Sequence, residues 1–137
     1  MPHFLVEYSE NIEAALDIPR LFERLTETAV ETGVFALAGI RCRALPRARY
    51  RLADGHPDNA FLHLQLRIRA GRPLEDRKAA GEAIFATLSD HLAPIFAERP
   101  MMLSFEIAEI DADLNFKKSN VRDYIAARDS GGQEAAQ

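Results

Sequence analysis

Residues 61–68 read Phe-Leu-His-Leu-Gln-Leu-Arg-Ile: Leu62, Leu64, Leu66 and Ile68 alternate with Phe61, His63, Gln65 and Arg67. A period of two is the pattern of a strand with one buried and one wetter face. Gly71-Arg72-Pro73 breaks it, and over 74–97 the period changes. Ala80, Ile84, Leu88, Leu92 and Phe96 then recur on one side of a long amphipathic helix, whose last turn Pro94 bends. Met101 to Ile107 returns to strand-forming residues. Strand, helix and strand in that order make one β-α-β unit.

Upstream, the same order recurs without obvious sequence identity. His3 to Tyr8 is β-prone and starts almost at the N-terminus, and Ser9-Glu10-Asn11 is a turn or loop. Asp17 is placed to cap a helix with Pro19 in its first turn. Leu21, Phe22, Leu25, Ala29 and Val30 follow at helical spacing, and Gly33 closes the element. Ile40 to Leu52 reads as extended, rich in arginine, with Pro46 either kinking it or marking an edge. Asp54-Gly55-His56-Pro57-Asp58 is a turn. After the second unit come a short extended piece, Leu114 to Lys117, and a terminal helix, Asn120 to Ala127.

The expected architecture is α+β: two β-α-β units form a four-stranded sheet with two helices on one face. A single domain spans 1–127, and 128–137 is expected to be a polar, frayed tail. The other face of such a sheet needs cover. Phe61, Leu62, Leu64, Leu66, Leu103 and Phe105 are the apolar residues expected to drive oligomer formation there.

Composition narrows the function. The 137 residues are 47% hydrophobic and 28% charged, in the range of one globular domain. Net charge is −4 and the pI is near 5.6, which argues against nucleic acid as a partner. No apolar run approaches a membrane span and the first twenty residues lack a signal-peptide pattern. Cys42 is the only cysteine, so no intrachain disulfide forms, as fits a reducing, cytoplasmic setting. The sequence shows no phosphate-cradling glycine loop, no zinc signature and no nucleophile elbow, so no metal or nucleotide cofactor is expected. His3, His56, His63 and His91 have no metal-ligand spacing, and Cys42 reads as a small buried hydrophobe.

Three residues suggest chemistry. Pro2 would carry a free secondary amine once Met1 is removed, and burial or nearby cations would keep that amine neutral and basic at pH 7. A strand starting at the next residue would hold it rigidly. Arg41 follows Gly39 at a loop-to-strand junction, and Arg72 lies between Gly71 and Pro73 at a strand-to-helix junction. Planar guanidinium forks grip carboxylates in bidentate fashion. A neutral base with two such forks suits a dicarboxylate or tricarboxylate substrate.

Several stretches together then resemble one family. They are residues 1–9 (Met-Pro-His-Phe-Leu-Val-Glu-Tyr-Ser), Thr32-Gly33-Val34-Phe35, Ala38-Gly39-Ile40-Arg41, Ala53-Asp54-Gly55 and Ala70-Gly71-Arg72. Residues 75–82, Leu103-Ser104-Phe105-Glu106 and Leu114-Asn115-Phe116-Lys117 continue the match. The chain resembles the 5-carboxymethyl-2-hydroxymuconate delta-isomerases of the tautomerase superfamily over roughly residues 2–125. The resemblance implies a β-α-β repeat fold, a homotrimer and cofactor-free ketonisation of a small carboxylate dienol in homoprotocatechuate breakdown. It implies Pro2 as base, Arg41 and Arg72 as substrate-carboxylate ligands, and Phe116 as a pocket-lining residue from the same or a neighbouring subunit. The Arg-rich stretch 43–51 and the tail leave substrate choice open between this activity and a 2-hydroxymuconate or phenylpyruvate tautomerase. A non-enzymatic trimeric binding protein of the same fold is the remaining alternative.

Overall fold

The computed structural model describes the backbone of residues 1–136 and the side chains of residues 1–131. Four strands, β1 (His3–Ser9), β2 (Arg41–Arg47), β3 (Ala60–Arg69) and β4 (Met101–Ile110), form one sheet in the order β2-β1-β3-β4. β1 runs parallel to β2 and β3 parallel to β4, while β1 and β3 pair antiparallel at the centre. The helices are α1 (Glu13–Leu16), α2 (Ile18–Glu31), α3 (Leu74–Glu98) and α4 (Val121–Ala136), with short 3₁₀ turns at Glu10–Ile12, Leu37–Gly39 and Ala112–Leu114. Each parallel pair is closed by a long helix, α2 or α3, as the two-unit reading requires. None of the described helices is long and apolar enough to cross a membrane.

The period-two pattern sets the core. Phe4, Val6 and Tyr8 of β1 and Leu62, Leu64, Leu66 and Ile68 of β3 are buried against Leu21, Leu25 and Ala29 of α2 and Ala80, Ile84, Leu88 and Leu92 of α3. Both helices therefore cover one face. Removing this much apolar surface from water is the main favourable term in folding.

The last turn of α3 differs from expectation. Ile95 is buried and Phe96 is 46% exposed. Steps of four residues advance about 40° beyond a full turn, so after Ala80, Ile84, Leu88 and Leu92 a step of three restores the face and a fourth step of four overshoots it.

The apolar residues expected on the open face also fall elsewhere. Leu62, Leu64 and Leu66 are buried under the helices, and Leu103 and Phe105 pack against the same core. Of that set only Phe61 shares the other side of the sheet, because odd-numbered β3 residues point away from the helices. The open face is polar instead. Arg47 Nε donates to Glu7 at 2.7 Å, Gln65 Nε2 donates to Glu106 at 2.7 Å, and His63 Nδ1 and Ser104 Oγ are 2.7 Å apart.

The extended stretch 40–52 is shorter than expected, since β2 ends at Arg47. β2 is an edge strand, so Pro46 withholds no amide that an outer neighbour needs. Beyond it Arg51 folds over Gly55, which adopts a φ of +81°. α1 was not anticipated at all, being a single turn with no periodicity of its own. α4 runs on past Ala127 into the segment expected to fray, where Glu134, Ala135 and Ala136 are strong helix formers; position 137 lies outside the described residues.

Asp17 starts α2 as expected, with an unusual backbone. Its φ and ψ of 46° and 66° are left-handed, and its carboxylate accepts from the Arg20 amide at 3.3 Å. Asp17→Ala removes the cap and keeps the strain, and should cost about 1–2 kcal/mol in chemical denaturation. Asp17→Gly relieves the strain and should cost only a few tenths.

Candidate active site

The N-terminus is held inside the sheet. His3 is in register with Arg41 on one side and Arg67 on the other, and the Arg41 amide donates to the Pro2 carbonyl at 3.1 Å. Pro2 is thereby fixed one residue ahead of a central strand, and it is buried. The 3₁₀ turn at Leu37–Gly39 lies alongside: a Cβ on Gly39 would sit 3.6 Å from Met1 Cα and 3.7 Å from Pro2 Cδ. A methyl group there would make ordinary van der Waals contact, so the turn packs directly against the first two residues.

Arg41 is braced by its strand neighbour. Its Nη1 lies 3.1 Å from His3 Nε2, and Arg43 Nη1 lies 3.3 Å from His3 Nδ1. Burial, then the positive charges of Arg41, Arg43, Arg67 and the terminal amine, lower the His3 pKa below the usual imidazole value. A neutral imidazole has one acceptor nitrogen, so it can accept a hydrogen bond from only one of these arginines at a time.

Arg72 occupies the junction between β3 and α3. Gly71 before it takes a φ of +114°, a conformation glycine adopts without a Cβ penalty. The Arg72 guanidinium donates to the Arg69 carbonyl at 3.3 Å and lies 5.2 Å from the centroid of the Phe35 ring. That distance is within the range of a cation–π contact. Arg77 Nε donates to the Arg72 carbonyl at 3.0 Å, and Arg77 also pairs with Glu109 at 3.2 Å, which anchors the junction to β4.

These groups surround the chain's terminal amine. In this chain the amine belongs to Met1, and it is held below the ordinary α-amino value, first by burial and then by Arg72, Lys117, Arg41 and Arg69. Nearby cations disfavour the protonated amine and favour the neutral base. With Met1 in place the Pro2 nitrogen is an amide and has no basic lone pair. Beside the amine lies a cavity of about 490 Å³ lined by Met1, Ala38, Gly39, Arg41, Lys117 and residues 118–119 and 122–123.

Arg41 is bonded to Pro2 through its amide and Arg72 acts on the same terminal amine, while of these three expected residues only Arg41 lines the cavity. Phe116 does not join them within this chain, being 89% exposed. Lys117 and Arg69 were missed as groups acting on the amine. Lys117 stands in a segment singled out for its resemblance, yet nothing in its local pattern shows that the chain returns to the N-terminus there. Among the described residues, no three or more His, Cys, Asp or Glu side chains group so as to hold a metal ion.

Comparison with known proteins gives the family of the chain. The family model described as 5-carboxymethyl-2-hydroxymuconate isomerase matches residues 2–125. A 5-carboxymethyl-2-hydroxymuconate Delta-isomerase of Escherichia coli is 46% identical over 121 residues, covering 88% of this chain and 96% of that protein. The crystal structure of a 5-carboxymethyl-2-hydroxymuconate isomerase from Deinococcus radiodurans R1 superposes with a TM-score of 0.85 at 40% identity, covering 90% of this chain and 93% of that one. A fused 4-OT solved as a symmetric trimer shares the fold at 15% identity, with a TM-score of 0.59 over 85% of this chain and 93% of that one. A family match across both β-α-β units and the whole sheet leaves one conclusion: the chain belongs to the 5-carboxymethyl-2-hydroxymuconate isomerase family.

Proposed function

We propose that the protein is an isomerase that converts 5-carboxymethyl-2-hydroxymuconate to its 2-oxo-3-ene isomer without a cofactor. The supporting observation is the gathering of Arg72, Lys117, Arg41 and Arg69 around a partly buried N-terminal amine, in a chain of this family. Pro2, freed by removal of Met1, is the base. Its neutral nitrogen takes the proton from the 2-hydroxyl of the dienol and returns it at C5, a 1,5 shift in which the C2=C3 and C4=C5 double bonds become C2=O and C3=C4. Arg41 and Arg72 bind substrate carboxylates and stabilise the negative charge that spreads onto the C2 oxygen between the two transfers. Arginine cannot serve as the base because its pKa stays above about 12.

The working form is a homotrimer, a reading supported by a fold relative that is a symmetric trimer and by the uncovered sheet face. In it Phe116, exposed on its own chain, lines a neighbouring protomer's pocket. The domain boundary at 127 and a cytoplasmic location belong to the same reading.

Intact mass should show loss of Met1, and dienol absorbance should decay faster with 5-carboxymethyl-2-hydroxymuconate than with 2-hydroxymuconate or phenylpyruvate enol. Equal rates on all three would sink the substrate assignment. Pro2→Ala, with Met1 still removed, should lower kcat by about 10²–10⁴-fold, the usual contribution of a positioned base. Retained turnover would rule Pro2 out.

The cations also set a pH dependence. The base works unprotonated, so activity is lost as pH falls through its pKa, and each neighbouring cation moves that acidic limb to lower pH. Arg72→Gln should therefore shift the acidic limb of kcat/KM to higher pH. Arg69→Gln should shift it in the same direction by less, since Arg69 acts on the amine more weakly than Arg72. A pH–rate profile of each variant checks both the sign and the order.

A further inference from the structure

The cavity beside the N-terminus has more positive charge than the proposed chemistry has used. Its far wall is the segment 117–123 leading into α4, which contributes Lys117, Lys118 and Arg122 against a single carboxylate, Asp123. With Arg41 on the near wall, four cations line one space. None of the four forms an ion pair among the described residues, although Arg20, Arg24, Arg47 and Arg77 all do. Like charges collected around a cavity repel one another, and that arrangement is balanced when an anion enters. Lysine is also scarce: it occurs only at 78, 117 and 118, so two of the three lysines stand here.

The carboxylates of the proposed substrate differ in kind. Two terminate the conjugated muconate chain and share its planarity, which suits the rigid forks of Arg41 and Arg72. The third hangs on a freely rotating carboxymethyl arm at C5. A flexible ammonium with three donors is better matched to a mobile single carboxylate than a planar fork is. Of the cations contributed by the segment 117–123, Lys117 is the one whose charge lowers the pKa of the Met1 amine, which places it toward the reacting end of the cavity.

Resting on the isomerase reading above, we infer that Lys117 is a specificity-determining substrate residue whose ammonium takes the third carboxylate, the one that separates a tricarboxylate dienol from a dicarboxylate one. Selection then comes from the C-terminal segment, while the proton transfer comes from the N-terminal strand. The two ends of the chain meet across one cavity to divide the work.

The test compares Lys117→Gln with the unaltered protein on 5-carboxymethyl-2-hydroxymuconate and on 2-hydroxymuconate, at a pH above the acidic limb so that base ionisation does not intervene. KM for the tricarboxylate should rise about 10- to 100-fold, the effect of losing one charge-assisted hydrogen bond. Its kcat should stay within about twofold, as should both constants for the dicarboxylate, because an interaction made equally in ground and transition states moves KM alone. Lys117→Arg should recover most of the loss. Equal losses on the two substrates, or no change on either, would overturn the role while leaving the isomerase assignment intact. An unaltered protein that turned over neither substrate would remove both.

Discussion

The amide of Arg41 donates to the carbonyl of Pro2, and with that bond the first residues of the chain join the middle of the sheet. β1 is paired on both edges, to β2 in parallel and to β3 antiparallel. A chain terminus ordinarily frays because nothing opposes its conformational entropy. Here two rows of ladder hydrogen bonds and the burial of Phe4, Val6 and Tyr8 oppose it. Everything at the site then has a fixed origin to be measured from. Arg41 follows from the β1–β2 register, Arg72 from the end of β3, and both are brought to the terminus because β2 and β3 flank the same strand.

Electrostatics builds on that placement. A positioned amine is of little use as a base if it stays protonated, and water around an exposed terminus would keep it so. Partial burial and four cations move the balance toward the neutral form. The same positive charges that favour a free lone pair also attract an anionic substrate, so one arrangement serves two ends. Its cost is mutual repulsion among the cations, part of which is relieved where Arg72 lies over Phe35 and donates to the Arg69 carbonyl.

Much of this was legible in the sequence where the cause is local. The alternation in 61–68 separated the two faces of β3, Asp17 announced a cap, and Pro46 signalled a kink or an edge, because each depends on neighbouring residues alone. The reading failed where an answer needs the third dimension. Leu62, Leu64 and Leu66 were counted toward an open face though their own alternation put them together under the helices; the error lay in not asking which face the helices take. Ile95 replaced Phe96 because helical drift accumulates over four turns. Lys117 and Arg69 escaped notice because their effect on the amine arises from chain return, 116 residues apart in the first case, which no short pattern encodes. Phe116 was assigned to the pocket of the same or a neighbouring subunit by resemblance, and within the single chain it is exposed.

The polar ladder on the uncovered sheet face bears on the order of events after synthesis. Had that face been a stripe of leucines, a lone protomer would carry surface that water rejects, and folding and association would have to occur together, as in obligate interfaces that resemble a core cut in half. Glu7 with Arg47, His63 with Ser104 and Gln65 with Glu106 instead satisfy one another within the chain, leaving Leu45 and Met102 as the large apolar side chains most open there. The core of the chain can therefore close without any group on this face having to be covered.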